Sequence, residues 1–240
     1  MFQPKTKSEL KALVNDSKVN LDEIDTSLIT DMSELFREST RKDFSGIETW
    51  NTSKVKDMSY MFYEAESFNH PLNDWDVSKV KDVSWMFASC PKFNKPLDDW
   101  NTSNVEKMIG MFSWAEKFNQ NISSWNTSKV KDMSKMFFGA KSFNQPLDKW
   151  NTSNVEKMSY MFYGAKNFNQ PLNKWKISKV RYMDNMFKNA KSFNQPLNKW
   201  NVSKVEDMSN MFDGSRKSDL RESYSGTKSF KDFLAESYKN

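Results

Sequence analysis

The stretch WNTSKVKDMSKMFFGAKSFNQPLDKW, residues 125–150, holds one complete copy of a 25-residue repeat and the tryptophan that opens the next copy. Tryptophan recurs at this spacing, without insertions, at Trp50, Trp75, Trp100, Trp125, Trp150, Trp175 and Trp200. A Met-Phe pair keeps the same register from Met61 and Phe62 to Met211 and Phe212. Tandem repeats of this length are typical of solenoids, in which each coil buries its apolar face against its neighbours.

Within one copy, the order of the apolar residues predicts a short strand followed by a short helix. The apolar positions recur at three- and four-residue spacing, which is typical of a helix: Val55, Met58, Met61, Phe62 and Ala65. Ahead of them, Trp50 and Thr52 alternate with polar residues, and the position of Thr52 is β-branched in every regular copy, which favours a strand. The expected fold class is therefore an α/β repeat with one short strand and one short helix per coil.

The repeat divides the chain into three segments. Residues 29–215 are predicted to form the solenoid, with one degenerate copy around Met32 and seven regular coils. Residues 1–28 and 216–240 are predicted to be caps, each with a short helix, because apolar residues recur there at helical spacing. A solenoid needs such caps, since its outermost coils have no neighbour to cover them.

The repeated pattern V-x-D-M-S-x-M-F-x-x-A-x-x-F-N-Q-P-L-x-x-W resembles that of the bacterial BspA-like leucine-rich-repeat surface proteins over about residues 29–215. The resemblance implies a leucine-rich-repeat-like, right-handed solenoid that takes part in adhesion at the cell surface. It also implies partners on a host or a neighbouring cell, and it brings no catalytic residues. Because the chain as given shows no export signal, the sequence leaves surface, secreted and cytoplasmic locations open.

Composition argues against several classes of function. One histidine and one cysteine cannot supply a catalytic triad, a zinc site or an internal disulfide, so we expect no enzyme activity, no metal and no cofactor. A net charge of +5 is too small for this length to imply a nucleic-acid partner. No run of 18 apolar residues occurs, so we expect no membrane insertion. The expected molecule is a monomer that binds another macromolecule.

Aromatic residues at positions where the repeat does not require them are the first candidate binding site. On a helical wheel they lie opposite the apolar stripe and should face solvent, as anchors of protein interfaces often do. They are Tyr60, Tyr63, Trp85, Trp114, Phe138, Tyr160 and Tyr163. The alternative for these side chains is lateral packing between neighbouring coils.

A column of lysines without any acidic member is the second candidate, and we call it the basic ridge. Its members are Lys54, Lys79, Lys129, Lys179 and Lys204. The ridge could attract an acidic protein, a glycan or another polyanion, or it could be a solvated edge that blunts aggregation. Three functions thus follow from the sequence: protein binding through the aromatics, polyanion binding along the ridge, and a purely structural spacer.

Overall fold

The structure, a computed structural model, describes residues 1–197 and 199–215. Helix α1 spans Lys7–Asn15, and two short 3-10 helices span Leu21–Glu23 and Ile47–Thr49. Helix α1 falls within residues 1–28, where the sequence predicts a cap, and begins where the Thr6 hydroxyl accepts the backbone N–H of Glu9 at 3.2 Å. The predicted C-terminal cap, residues 216–240, lies outside the described residues.

Helix α1 is held against the degenerate copy of the repeat. Its Leu10 and Val14 side chains are buried in the core. On the outer side, the Lys11 ammonium donates to the backbone carbonyl of Glu34 at 2.8 Å, and Lys7 pairs with Asp31 at 3.3 Å. The helix therefore covers the start of the repeat array, where an apolar face would otherwise meet water.

Residues 58–65 show the backbone arrangement on which the coils stack. The N–H groups of the even-numbered residues 58–64 donate to carbonyls 24 residues further on, in the next coil, at 2.9–3.0 Å. The N–H groups of the odd-numbered residues 61–65 donate within the coil, to the third residue before them, at 2.9–3.2 Å. Successive N–H groups therefore alternate between holding neighbouring coils together and closing the turns of one coil.

The prediction of a short helix in each coil is wrong. Between residues 51 and 215, the described part of the chain contains no helix. An α-helix would take each N–H to the carbonyl four residues earlier, whereas here every second N–H leaves the coil sideways. Tyr60 and Glu64 also have φ of 56° and 57°, which a right-handed helix excludes. Three- and four-residue spacing decides which side chains face the core, and a series of tight turns satisfies that spacing equally well.

The predicted strand at Trp50–Thr52 is also wrong. The described residues contain only isolated parallel β-bridges. In the coils, each bridge joins the position of Asp57 in one repeat to the same position in the next, as between Asp57 and Asp82. The β-branched side chain at position 52 bridges the coils instead: the Thr52 hydroxyl donates to the backbone carbonyl of Asp76 at 3.1 Å. At this position a side-chain hydrogen bond therefore joins neighbouring coils, in place of the backbone hydrogen bonds that a strand would have made.

The core consists of aromatic columns that run through the stacked coils. In the tryptophan column the indoles of Trp125, Trp150, Trp175 and Trp200 lie 6.5 Å apart, within 2° of parallel. Each of these four indole N–H groups donates to the backbone carbonyl 28 residues earlier, as Trp125 does to Leu97 at 2.8 Å. These buried donors are therefore all hydrogen-bonded. The phenylalanines form a second column, in which Phe137 lies 5.8 Å from Phe112 and 5.5 Å from Phe162. This stacking explains why the sequence repeats at a fixed interval of 25 residues.

Candidate binding face

Two positions of the repeat, those of Tyr60 and Glu64, keep a left-handed backbone from coil to coil. At the first, the side chains differ widely although φ stays between 54° and 60°: Tyr60, Trp85, Gly110, Lys135, Tyr160, Asn185 and Asn210. At the second, φ stays between 55° and 67°: Glu64, Ser89, Trp114, Gly139, Gly164, Asn189 and Gly214. The backbone of this face is therefore constant, and only its side chains distinguish one coil from another.

The seven aromatic residues that the sequence singles out all lie on this face, at those two positions and at the position of Tyr63. Trp114 is 44% exposed, and the other six are half-buried. They are half-buried because they pack on one another: Phe138 stacks on Tyr163 at 4.6 Å, and Tyr60 stacks on Trp85 at 6.2 Å between ring centroids. Lateral packing and exposure thus occur in the same side chains.

The rings near the start of the array enclose a cation that is already neutralised. The Arg37 guanidinium lies 5.7 Å and 5.3 Å from the ring centroids of Tyr60 and Tyr63. It also pairs with Glu34 at 3.5 Å and Glu38 at 3.1 Å. Next to it, a hydrogen bond to the Glu64 carboxylate, together with burial, raises the pKa of the Tyr63 hydroxyl. Charges in this part of the face are therefore satisfied within the protein.

Further along, the rings line an open groove of about 420 Å³, which we call the aromatic groove. Its aromatic members come from five consecutive coils: Tyr63, Trp85, Trp114, Phe138 and Tyr160. Ala88, Ser89, Ser113 and Lys135 complete the lining. Five of the seven aromatic candidates therefore share one concave site, and Tyr60 and Tyr163 pack against its members from outside.

Two glycines make room for the tryptophans of the aromatic groove. A Cβ on Gly110 would lie 2.4 Å from the Trp85 ring, and a Cβ on Gly139 would lie 2.6 Å from the Trp114 ring. Neither glycine was among the residues predicted to form the site. The signal was present, since each glycine stands one coil after a tryptophan in the same column.

Lys135 is the one charged residue that lines the aromatic groove, and it was not among the residues predicted from the sequence. Its ammonium lies 5.9 Å from the centroid of Trp85 and 5.7 Å from that of Tyr160, and both rings attract it. Within residues 1–197 and 199–215, no carboxylate lies within 4.0 Å of this ammonium. The groove therefore presents an uncompensated positive charge between two aromatic walls.

The basic ridge is exposed at all five lysines. It is interrupted by Asn104 and Asn154, whose side-chain carbonyls accept from Lys129 at 2.6 Å and from Lys179 at 2.7 Å. Beside the ridge, opposite charges pair between adjacent coils, as Lys107 does with Asp82 at 3.1 Å and Arg181 with Glu206 at 2.6 Å. The surface beside the ridge therefore carries both signs of charge and is not uniformly basic.

Reactive chemistry is not gathered anywhere in the part of the chain that the structure describes. Residues 1–197 and 199–215 hold no group of three histidine, cysteine or acidic side chains that could bind a metal. Cys90 is buried, its thiol donates to the Phe62 carbonyl at 2.8 Å, and burial raises the pKa of the thiol far above its usual value. In the same residues, no helix is long and apolar enough to cross a bilayer.

Stacked coils of one 25-residue motif, with aromatic columns inside and a variable face outside, define a tandem-repeat protein. Residues 7–125 and 108–225 each match the model of the family described as Mycoplasma protein of unknown function, DUF285. The two matches together span most of the chain, so this protein belongs to that bacterial repeat family. No curated protein and no solved structure matches it.

Proposed function

We propose that this protein is a non-enzymatic binding module that recognises another protein through the aromatic groove. The observation that carries the proposal is the convergence of five aromatic side chains, each from a different coil, with one uncompensated lysine. Exposed aromatic rings that remain together on a rigid scaffold are the commonest anchors of protein interfaces.

The backbone beneath the aromatic groove supports this function because it is fixed before any partner arrives. The N–H groups of Trp85, Trp114 and Lys135 all donate to carbonyls of the next coil, at 2.6–2.9 Å. The rings also pack on one another, so little side-chain freedom remains to be lost on binding. A preorganised face of this kind gives affinity without a large entropy cost.

The resemblance to BspA-like leucine-rich-repeat proteins extends the proposal to setting and shape. A right-handed solenoid displayed at a cell surface would turn the aromatic groove towards proteins of a host or a neighbouring cell. In that setting the protein acts as an adhesion module, and one monomer is sufficient because all five aromatic lining residues come from one chain.

The second candidate function, polyanion binding, is favoured by the five exposed lysines of the basic ridge. It would show strong salt dependence, since each phosphate or sulfate contact releases counterions. The ion pairs beside the ridge weaken this candidate. A structural spacer, the third candidate, would need neither the aromatic groove nor the ridge.

The test is capture of protein from a cell-surface extract at low and high salt. In the groove variant, Trp85→Asn, Trp114→Ser and Tyr160→Asn, each residue is replaced by one that the same column uses elsewhere: Asn185, Ser89 and Asn210. The ridge variant, Lys129→Asn with Lys179→Asn, is the matched control, because Asn104 and Asn154 occupy that column.

Protein binding through the groove predicts capture that persists at high salt, is lost in the groove variant and survives in the ridge variant. Loss in the ridge variant alone, with capture that fades as salt rises, would move the function to the ridge. No capture by any of the three proteins would leave the spacer, and equal capture by all three would mean that binding occurs on another face.

A further inference from the structure

We infer that the aromatic groove takes an extended, proline-rich peptide segment that carries an acidic residue opposite Lys135. This inference rests on the proposed protein-binding function and names the kind of segment that the partner presents. Four properties of the groove point to it: its length, its hydrogen-bonding groups, its rings and its charge.

The length of the groove suits an extended chain. Its walls come from five consecutive coils, so it runs over four coil-to-coil steps. At roughly 5 Å per step, close to the separation of neighbouring strands, that is about 20 Å. A polyproline II segment rises about 3.1 Å per residue, so about six residues would span the groove.

Hydrogen bonding excludes recognition by strand addition. The backbone N–H groups of residues 85, 87 and 89 donate to the coil that follows, and those of 86, 88 and 90 close turns within their own coil. Within the described residues around the groove, these backbone groups leave no free ladder for a partner chain, as β-strand addition requires. Recognition has to come from side chains.

The polar groups in the groove suit a ligand that brings few donors of its own. Its lining contains an ammonium and hydroxyl groups, but no carboxylate, carboxamide or guanidinium. A sugar ring would bring several hydroxyl donors, and only the hydroxyl oxygens of the lining could accept from them, since no carboxylate or carboxamide is present. A proline has no N–H and offers only its carbonyl. Ammonium and hydroxyl donors therefore match a proline-rich chain better than a carbohydrate.

Aromatic rings are the usual walls for polyproline helices, which dock between them without ladder hydrogen bonds. Trp114 presents the most exposed ring, at 44%, and lies edge-on to Phe138 at 5.3 Å and 70°. Its indole lies over Gly139, which brings the ring close to the backbone. Proline rings would pack in the spaces between such walls.

Charge complementarity selects the acidic residue. Arg37, which also lies over two rings, is paired with Glu34 and Glu38, whereas Lys135 has no carboxylate within 4.0 Å in the described residues. Arg37 is thus neutralised within the protein, whereas the charge of Lys135 is left for a ligand to pair with. An aspartate or glutamate in the segment would provide a carboxylate for Lys135, as Glu34 and Glu38 do for Arg37.

The test is isothermal titration calorimetry of the full chain with four blocked nine-residue peptides. Three are polyproline with a central glutamate, glutamine or lysine, and the fourth keeps the central glutamate in a glycine–serine chain. The protein variants are Trp114→Ser, Lys135→Asn and Lys135→Glu. Asn185 and Glu34 hold the position of Lys135 in other coils with φ of 55° and 57°, so both lysine substitutions suit the backbone.

We expect the proline–glutamate peptide to bind, and the proline–lysine and glycine–serine peptides to bind at least about tenfold more weakly. Trp114→Ser should weaken the proline–glutamate peptide by about tenfold or more. Lys135→Asn should abolish the preference for glutamate over glutamine, and Lys135→Glu should reverse the preference between glutamate and lysine.

Equal affinity for the proline and glycine–serine peptides, no binding of any peptide, or a charge preference that Lys135→Glu leaves unchanged would overturn the inference. Binding of a glucuronate oligosaccharide, lost in Trp114→Ser, with no binding of the peptides would overturn it in favour of an acidic sugar. If no peptide binds while the groove variant still abolishes protein capture, this inference fails and the proposed function stands. If capture is also independent of the groove, both fail.

Discussion

The tryptophan column inside the coils and the outward column that begins at Tyr60 keep the same 25-residue interval but use it differently. Inside, one side chain recurs, because each indole must stack on the next and donate to the coil before it. Outside, only the backbone recurs, since φ stays near 57° whether the residue is tyrosine, tryptophan, lysine or asparagine. Repetition is thus imposed where every coil stacks the same side chain, whereas the outer positions accept different side chains on a constant backbone.

Register is the strongest test of this comparison, and we expect the largest effect there. Deleting residues 75–99, one whole coil, brings equivalent columns together again and should leave a cooperatively folded protein. Deleting residues 75–86 joins core positions to outward positions and should abolish folding, because every column beyond the junction is displaced. Near-ultraviolet circular dichroism and urea unfolding distinguish these outcomes. Similar behaviour of the two deletions would refute the stacked-coil arrangement.

The neighbouring residues Phe137 and Phe138 test the comparison within one coil. Phe137 is fully buried and stacks on Phe112, Phe143 and Phe162, whereas Phe138 lines the aromatic groove. Phe137→Ala should lower the free energy of unfolding by about 3–5 kcal/mol. Phe138→Ala, the matched control, should cost less than half of that, because its side chain is only half-buried. Equal losses in urea titrations would mean that the groove is part of the core.

A pair of glycines sharpens the comparison on the outer face. Gly110→Asn places a Cβ against the Trp85 ring, while Gly164→Asn meets its nearest atom at 3.8 Å. Asparagine tolerates the left-handed backbone at both sites, so the difference between the variants reports the displaced ring. We expect Gly110→Asn to cost about 1–3 kcal/mol and Gly164→Asn to cost a few tenths. Urea unfolding measures both, and a larger loss at Gly164 would contradict the placement of Trp85.

The smallest expected effect concerns acid stability. Hydrogen bonds from the Ser78 hydroxyl and backbone N–H lower the pKa of Asp76 in the folded protein. The stabilisation is therefore present above the unfolded pKa, about 3.9, and is lost as pH falls through the lower folded value. Asp76→Asn should reduce the loss of stability below about pH 4, because Asn51 accepts the same backbone hydrogen bond without titrating.

Thermal unfolding between about pH 2 and 6 checks this expectation, across the range where carboxyl groups titrate. Asp74→Asn, at an exposed position two residues before Asp76, is the control for the loss of one charge. An equal change from both variants would show that net charge, and not the hydrogen bonds at Asp76, governs the acid limit.

The sequence could predict the repeat length and the buried positions, but not the backbone conformation of each coil. The core positions could be predicted because burial demands apolar side chains, and Met58, Met61 and Phe62 are all fully buried. The helix and strand assignments failed because the spacing of apolar residues does not reveal the partner of each N–H. Glycines at 110, 139, 164 and 214 and asparagines at 185, 189 and 210 hinted at left-handed positions, but elsewhere tyrosine, tryptophan and lysine conceal that conformation.

The aromatic candidates were found by their departure from the repeat, and the structure brings five of them to one groove. The helical wheel behind their expected exposure was wrong, yet alternating turns also direct the positions of Tyr60 and Tyr63 outward. Lys135 was missed because the sequence does not show that Gly110 lets the Trp85 ring lie towards it. A contact between rings and cations in different coils depends on side-chain direction, which spacing alone does not specify.

Site-specific photocrosslinking can show directly whether a partner protein binds at the aromatic groove. A benzoylphenylalanine placed at Trp114, in the aromatic groove, is compared with one placed at Lys179, on the basic ridge, after incubation with intact cells. The account predicts a covalent protein adduct from position 114 and none from position 179. An adduct from position 179 alone, or equal adducts from both positions, would contradict it.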